Sequence, residues 1–237
     1  MGPIHVGALL FDYQAIDIIG PCDLLNSASK ALMEGINRYT PVEPEVLAKA
    51  PEIIIHHIGE TLEPVRLLTS FVTLIPTVAV DDVPELDILL VGGDSPEDTH
   101  LPPKLQDLIR RHAASGKPLL TICTGAGVVA ATGILDGRRA TVNNLELKWL
   151  KKRYPNVHWT REKKWIIDGN IWTGSGAIAG MDMVAHWIKE TFGLDILIQA
   201  GLSLDYEPRD VDGLYTVFPQ RYDAAGNKVS THIFPDE

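Results

Sequence analysis

Short apolar runs alternate with helix-period segments along most of this chain. V-G-A-L-L-F (residues 6–11), L-D-I-L-L-V (86–91) and P-L-L-T-I-C (118–123) are continuous hydrophobic stretches, too short for helices and closed by turn residues, so each predicts a strand buried on both faces. Between them, G-P-C-D-L-L-N-S-A-S-K-A-L-M predicts a helix with Pro21 in its first turn, where the missing N–H costs nothing. P-P-K-L-Q-D-L-I-R-R-H-A-A-S is amphipathic through Leu105, Leu108, Ile109 and His112, and Gly116 and Pro118 stop it. T-G-A-G-V-V-A-A-T opens a helix directly after the third strand. W-I-I-D-G-N-I-W-T predicts a hairpin turning at Asp168 and Gly169. The helix A-I-A-G-M-D-M-V-A-H-W-I-K-E-T-F-G places Met181, Val184, Ala185, Ile188 and Phe192 on one face, with Gly193 as its cap. Asp195 is expected to precede a further strand. Residues 41–80 read as strands and an irregular connection, and the tail from Leu202 as an extended arm over the surface. Strands of this kind alternating with helices imply an α/β fold with a mostly parallel sheet covered on both faces. One domain is expected over residues 1–200, with residues 201–237 as its C-terminal arm.

Composition narrows the function. The 237 residues carry 21 Lys+Arg against 31 Asp+Glu, a net charge of −10. That balance, without a basic run, argues against nucleic acid and against an anionic membrane as partners. The N-terminus lacks the charged region of a signal peptide, and no apolar run is long enough to span a bilayer, so a cytoplasmic protein is expected. Two cysteines, Cys22 and Cys123, make neither a disulfide framework nor a four-cysteine zinc site.

Cys123 ends a buried strand and runs into the small-residue helix start C-T-G-A-G. Such a strand-to-helix turn projects its side chain at the carboxyl end of the sheet, where open α/β folds bind ligands. The helix N-terminus beside it should favour the thiolate and lower the thiol pKa. Read alone, Cys123 also fits a small buried hydrophobe. Asp17, in the apolar run A-I-D-I-I-G-P, is a carboxyl that burial would push toward its neutral form, which suits a proton shuttle, or else a helix N-cap. The first and third strands can be neighbours in such a sheet, which would bring Asp17 to Cys123. Gly92 and Gly93 end the second strand on the same side. Their N–H groups either form an anion pocket or simply turn the chain.

Two other chemistries are disfavoured. G-x-G-x-x-A occurs at both Gly125-Gly127-Ala130 and Gly174-Gly176-Ala179, neither in the first βαβ unit nor followed by an acidic strand end, so a nicotinamide cofactor is rejected. Of eight histidines none stands out as a partner for Cys123. His186 falls opposite the apolar face of its helix, His56 and His57 lack a third metal ligand, and His100, in the loop after Gly93, is the nearest candidate.

The motifs D-I-I-G-P (17–21), L-L-V-G-G-D (89–94), I-C-T-G-A (122–126), G-I-L-D-G-R-R-A-T (133–141), D-G-N-I-W-T-G-S-G (168–176) and A-G-M-D-M (179–183) together resemble the ThiJ/PfpI superfamily, the class I glutamine amidotransferase-like fold. The resemblance covers about residues 5–200. The Asp of D-x-x-G-P combined with C-T-G is similar to the isonitrile hydratase branch. It implies Cys123 as nucleophile, Asp17 as acid/base partner, Thr124 as support, and an anion-binding backbone at Gly92 and Gly93. It further implies a flavodoxin-like three-layer sandwich with a nucleophile elbow, a small-molecule substrate, no metal or organic cofactor, and a homodimer. The implied reaction is hydration of an isonitrile to an N-substituted formamide. A glyoxalase-type or secondary-metabolite tailoring enzyme, or a non-catalytic redox-sensing or protective protein, would use the same cysteine. One departure stands out: where many relatives read A-T-T-H-W, this chain reads A-T-V-N-N, so Asn143 replaces a histidine. With Glu146 three residues on, Asn143 also reads as a helix N-cap box.

Overall fold

In the computed structural model of the chain, residues 2–95, 97, 101–218, 221, 222, 225 and 227–230 are described. The three apolar runs form β1 (Ile4–Leu9), β4 (Ile88–Val91) and β5 (Leu119–Ile122). With β2 (Ile53–Gly59), the two-residue β3 (Val78–Ala79), β6 (Trp165–Asp168) and β7 (Ile171–Gly174) they build one seven-stranded sheet. Its order is β6-β7-β5-β4-β1-β2-β3. Every pairing is parallel except the edge hairpin β6–β7, whose turn is made by Gly169 at φ +61°. All four residues of β4 and of β5 are buried, which requires cover on both faces of the sheet. Helices α1 (Ala15–Ser27), α4 (Pro103–Ala114), α5 (Gly125–Ala130) and α7 (Ala177–Phe192) pack on the sheet; α2 (Lys30–Ile36), α3 (Pro44–Lys49) and α8 (Leu194–Leu204) pack on other helices, and α6 (Leu147–Arg153) follows the elbow helix in the chain. The sandwich is flavodoxin-like, as the resemblance implies. No described helix is long and apolar enough to cross a membrane.

Several local expectations are corrected. The first helix begins at Ala15, not at Pro21, so Pro21 lies inside it and removes the main-chain bond to the Asp17 carbonyl one turn back. Burial of Ala15, Asp17 and Ile18 holds that extra turn in place despite the proline. L-D-I-L-I-Q-A-G, where a strand was expected after Asp195, is helix α8, because its apolar residues Ile196, Leu197, Ala200 and Gly201 bury one helical face. It runs to Leu204, so the extended arm starts later than Leu202. Residues 41–80 hold the short helix α3, opened by Pro44 at its first position, beside the expected strands. β1 and β5 are not neighbours; β4 lies between them.

The chain beyond α8 is fastened by a charge that sequence reading passed over. The Asp182 side chain on α7 is fully buried and accepts from Arg209 Nε at 3.0 Å and Nη2 at 2.8 Å. It also accepts from the Arg209 main-chain N–H at 3.0 Å and the Tyr206 hydroxyl at 2.5 Å. Phe218 then buries its ring against Gly201, where a side chain would collide with it. Asp182→Asn exchanges a charge-assisted fork for neutral contacts and should cost about 2 kcal/mol. Urea unfolding should register that loss, and limited proteolysis should cut first between Asp205 and Phe218. An unchanged urea midpoint would mean the fork adds no stability.

Candidate active site

β5 delivers Cys123 into a sharp turn. Its φ of +57° is left-handed, a conformation unfavourable for a residue with a side chain and held here by its surroundings. The Cys123 N–H donates to the Gly174 carbonyl at 3.1 Å, tying the elbow to the end of β7. Behind the elbow, Gly180 of α7 packs directly on Ile122, and Gly125 lies so close to the Val91 and Gly92 carbonyls that no side chain fits. These glycines let the elbow sit at the carboxyl ends of β4, β5 and β7.

Asp17 arrives from α1. It is fully buried, and its Oδ2 accepts from the Gly93 N–H at 3.0 Å, while the Gly93 carbonyl takes the Gln14 N–H at 2.8 Å. Asp17 is therefore held by its side chain within the first turn of α1, not as an N-cap; Gln14 has that position. Its Oδ1 is buried with no hydrogen-bond partner among the described residues. Burial pushes the carboxyl from 3.8 up to about 7, against the opposing pull of the Gly93 N–H. The Asp17 charge acts on the Cys123 thiol across β4, with Asp17 anchored at the Gly93 corner, and not by strand adjacency.

Cys123 is 5% exposed. Burial pushes its thiol up, the negative charge of Asp17 adds to the rise, and hydrogen bonds from the Asn143 amide and the Thr124 N–H oppose it. The lowered thiol pKa expected from the helix N-terminus is not what this setting gives. α5 is only six residues long, and the desolvated site holds a second acid beside the sulfur. Cys22 is buried inside α1, and desolvation pushes its thiol up to about 12.

The remaining expected residues take definite places. Thr124 points its hydroxyl away from the sulfur and donates to the Asp94 carbonyl at 2.8 Å, bracing the corner that holds Asp17. Gly93 approaches the Thr124 main chain so closely that a Cβ would lie 2.7 Å from its nitrogen. Because its N–H is committed to Asp17, the expected pair of free glycine N–H groups does not form. Gly92 is a packing position, with Tyr13 and Ile18 against it. His100 lies outside the described residues. His186 is half-buried, with its ring against Trp165 and Trp172. His56 stacks on His5, their ring nitrogens 2.9 Å apart.

Asn143 is the residue whose role the sequence misassigned. α6 takes Glu146 as its N-cap, and Asn143 instead directs its amide Nδ2 at the Cys123 sulfur, 3.3 Å away. Its Oδ1 accepts from Leu145 N–H, which fixes the amide orientation. The strand end before it is pinned where Thr141 N–H donates to Thr173 Oγ1 at 2.8 Å. The signal was present in the departure from A-T-T-H-W, since Asn143 takes the histidine's place. A thiol with an amide donor, a carboxyl poised between its two protonation states and a strained elbow is a site for nucleophilic addition coupled to transfer of one proton.

The chain is similar to known proteins over different shares of its length. The chain is 30% identical over 209 residues to the isonitrile hydratase of Pseudomonas putida, covering 86% of this chain and 79% of that protein. It is 28% identical over 121 residues to the HTH-type transcriptional regulator GbdR of Pseudomonas aeruginosa, covering 51% of this chain but 33% of the regulator. A ThiJ/PfpI family protein from Pseudomonas syringae superposes with a TM-score of 0.69 at 20% identity, over 89% of this chain and 78% of that one. Residues 12–190 match the sequence profile of the DJ-1/PfpI family. With three quarters of its length inside that match, the chain belongs to the DJ-1/PfpI family.

Proposed function

We propose that this protein hydrates an isonitrile to an N-substituted formamide, with Cys123 as nucleophile and Asp17 as proton carrier. The observation that carries this reading is the Asp17 carboxyl: buried, anchored through one oxygen to Gly93, open at the other, and near neutrality in proton affinity beside a thiol. The likeness to the P. putida isonitrile hydratase over most of both chains supports it. Ionised Asp17 takes the proton from the Cys123 thiol as sulfur bonds to the terminal carbon of R–N≡C. Asp17 then delivers that proton to the same carbon, giving the thioimidate R–N=CH–S. Water adds to this carbon, its oxygen bonding to carbon while one proton passes through Asp17 to nitrogen, which gives R–NH–CH(OH)–S bound to Cys123; the remaining hydroxyl proton is the one released next. The C–S bond breaks, releasing R–NH–CHO and returning the proton to the Cys123–Asp17 pair. Asn143 donates to sulfur throughout, and Thr124 with Gly92 and Gly93 keeps the frame. An amide can donate to sulfur but cannot take its proton, so the proton has to move through Asp17.

A second reading is a non-catalytic sensor whose Cys123 is oxidised reversibly; the likeness over half the chain to GbdR, a transcriptional regulator, supports the non-catalytic part of that reading. Turnover of a small aliphatic isonitrile that disappears in Cys123→Ala decides for the hydratase; peroxide-reactive Cys123 without turnover decides for the sensor. The proposal includes a cytoplasmic homodimer. Ile16, Leu145 and Ile178, exposed by 43, 86 and 47% on the segments around the elbow, supply apolar surface for pairing. Light scattering at micromolar concentration should give twice the 26.0 kDa chain mass; a single-chain mass would remove the dimer from the reading.

Asp17→Asn keeps volume and the Gly93 hydrogen bond but not the transferable proton. Turnover should fall by about two orders of magnitude, on the order of 3 kcal/mol of transition-state stabilisation, and Asp17→Glu should keep part of it. A wild-type rate in Asp17→Asn would exclude the proton-carrier role. In the wild type, turnover should rise with pH through about 7, as Asp17 becomes able to accept the thiol proton, and fall again as the thiol itself ionises.

Stability should move the other way. As pH climbs from about 4 to 7 the unfolded chain loses the Asp17 proton while the folded chain keeps it, so wild-type stability declines over that window. Asp17→Asn should therefore be more stable than wild type at pH 8, on the order of 2–4 kcal/mol, with the gain vanishing near pH 4. Urea midpoints at the two pH values check this. A gain that persists at pH 4 would mean ionisation is not its cause.

A further inference from the structure

On the flank of the molecule away from Cys123, edge strand β6, α7 and the arm after α8 enclose a cavity of about 480 Å³. That volume is in the range of sites for small organic ligands. None of Cys123, Asp17, Thr124 and Asn143 lines it. Its apolar walls come from Trp165 and Ile167 on β6, Leu197 on α8, and Val211 and Val217 on the arm. α7 contributes Asp182, Ala185, His186 and Lys189, spaced i, i+3, i+4 and i+7, which is the face left over when the Gly180 side packs on the elbow strand.

The charges in the lining do not balance. Four cations, Arg139, Lys163, Lys189 and Arg209, face two carboxylates, Asp182 and Asp210, in a protein whose net charge is −10. Arg209 is engaged by the buried Asp182, and Arg139 lies 3.3 Å from Glu162. Asp210 is turned into its own loop, accepting from the Leu214 and Tyr215 N–H groups. Lys163 has no acidic partner among the described residues, and Lys189 has only a loose 3.7 Å contact with its neighbour Glu190. The His186 ring nitrogens have no hydrogen-bond partner among the described residues, and burial holds that imidazole toward its neutral form.

We infer that this cavity is a second binding site, for a small organic anion with a flat apolar body: the carboxylate meets Lys163 and Lys189, the body lies along the Trp165–His186 wall, and His186 offers a hydrogen bond. An aromatic carboxylate is the simplest member of that class. The inference does not depend on the hydratase reading.

Calorimetric titration of the full chain with 2-naphthoate, and with its uncharged counterpart 2-naphthamide, tests it. The expected result is one naphthoate site per chain and at least tenfold weaker binding of the amide. The double variant Lys163→Glu/Lys189→Glu should lose at least tenfold in naphthoate affinity with an unchanged melting temperature, since both lysines are at the surface. Alkylation of Cys123 with iodoacetamide should leave the affinity unchanged, which separates this site from the elbow. Absence of naphthoate binding at millimolar concentration would overturn the inference. So would equal binding of the amide, equal affinity in the double variant, or loss of binding on Cys123 alkylation.

Discussion

One hydrogen bond organises the reactive end of this protein: the Gly93 N–H held by the buried Asp17 carboxylate at 3.0 Å. It joins the first turn of α1 to the end of β4, and the return contact from Gln14 to the Gly93 carbonyl makes the joint two-sided. Thr124 braces the next residue of the same corner, so the loop, the helix and the elbow are set relative to one another. The single donor also explains the proton affinity of Asp17. One N–H in a desolvated site leaves the carboxyl only partly compensated, and it settles near neutrality instead of near 4. Structure and proposed chemistry therefore rest on the same atom pair.

The elbow stores conformational strain that its neighbours hold in place. Cys123 stays left-handed because its N–H is committed to Gly174, and because Gly125 and Gly180 let β4 and α7 close on it without side chains between. Burial favours the protonated thiol, so the proposed reaction draws on local transfer of a proton to Asp17 and not on a standing thiolate. Asn143 fits that economy, since an amide donor stabilises developing negative charge on sulfur without competing for the proton.

α7 serves both halves of the molecule. Its small-residue face backs the elbow through Gly180, and its opposite flank carries Asp182, His186 and Lys189 into the arm and the second cavity. The arm is held there by the buried Asp182 fork, so the cavity exists only because a charge on α7 finds its partner beyond α8.

The buried strands, the hairpin at Gly169, α4, α7 and the identity of the elbow cysteine were legible in the chain, because short-range patterns decide them: continuous apolar runs, helical spacing and left-handed glycines. Cys123, Asp17 and Thr124 could be picked out one by one from residue type and motif. What each does depends on groups far away in sequence. Gly93 serves Asp17 rather than an anion, 76 positions apart, and Asn143 reaches the sulfur across 20. The thiol is raised rather than lowered because burial and a second acid outweigh a six-residue helix. Proton affinity, charge pairing and cavity shape depend on through-space distances of a few ångströms and on exclusion of water, and only the packed tertiary structure fixes those.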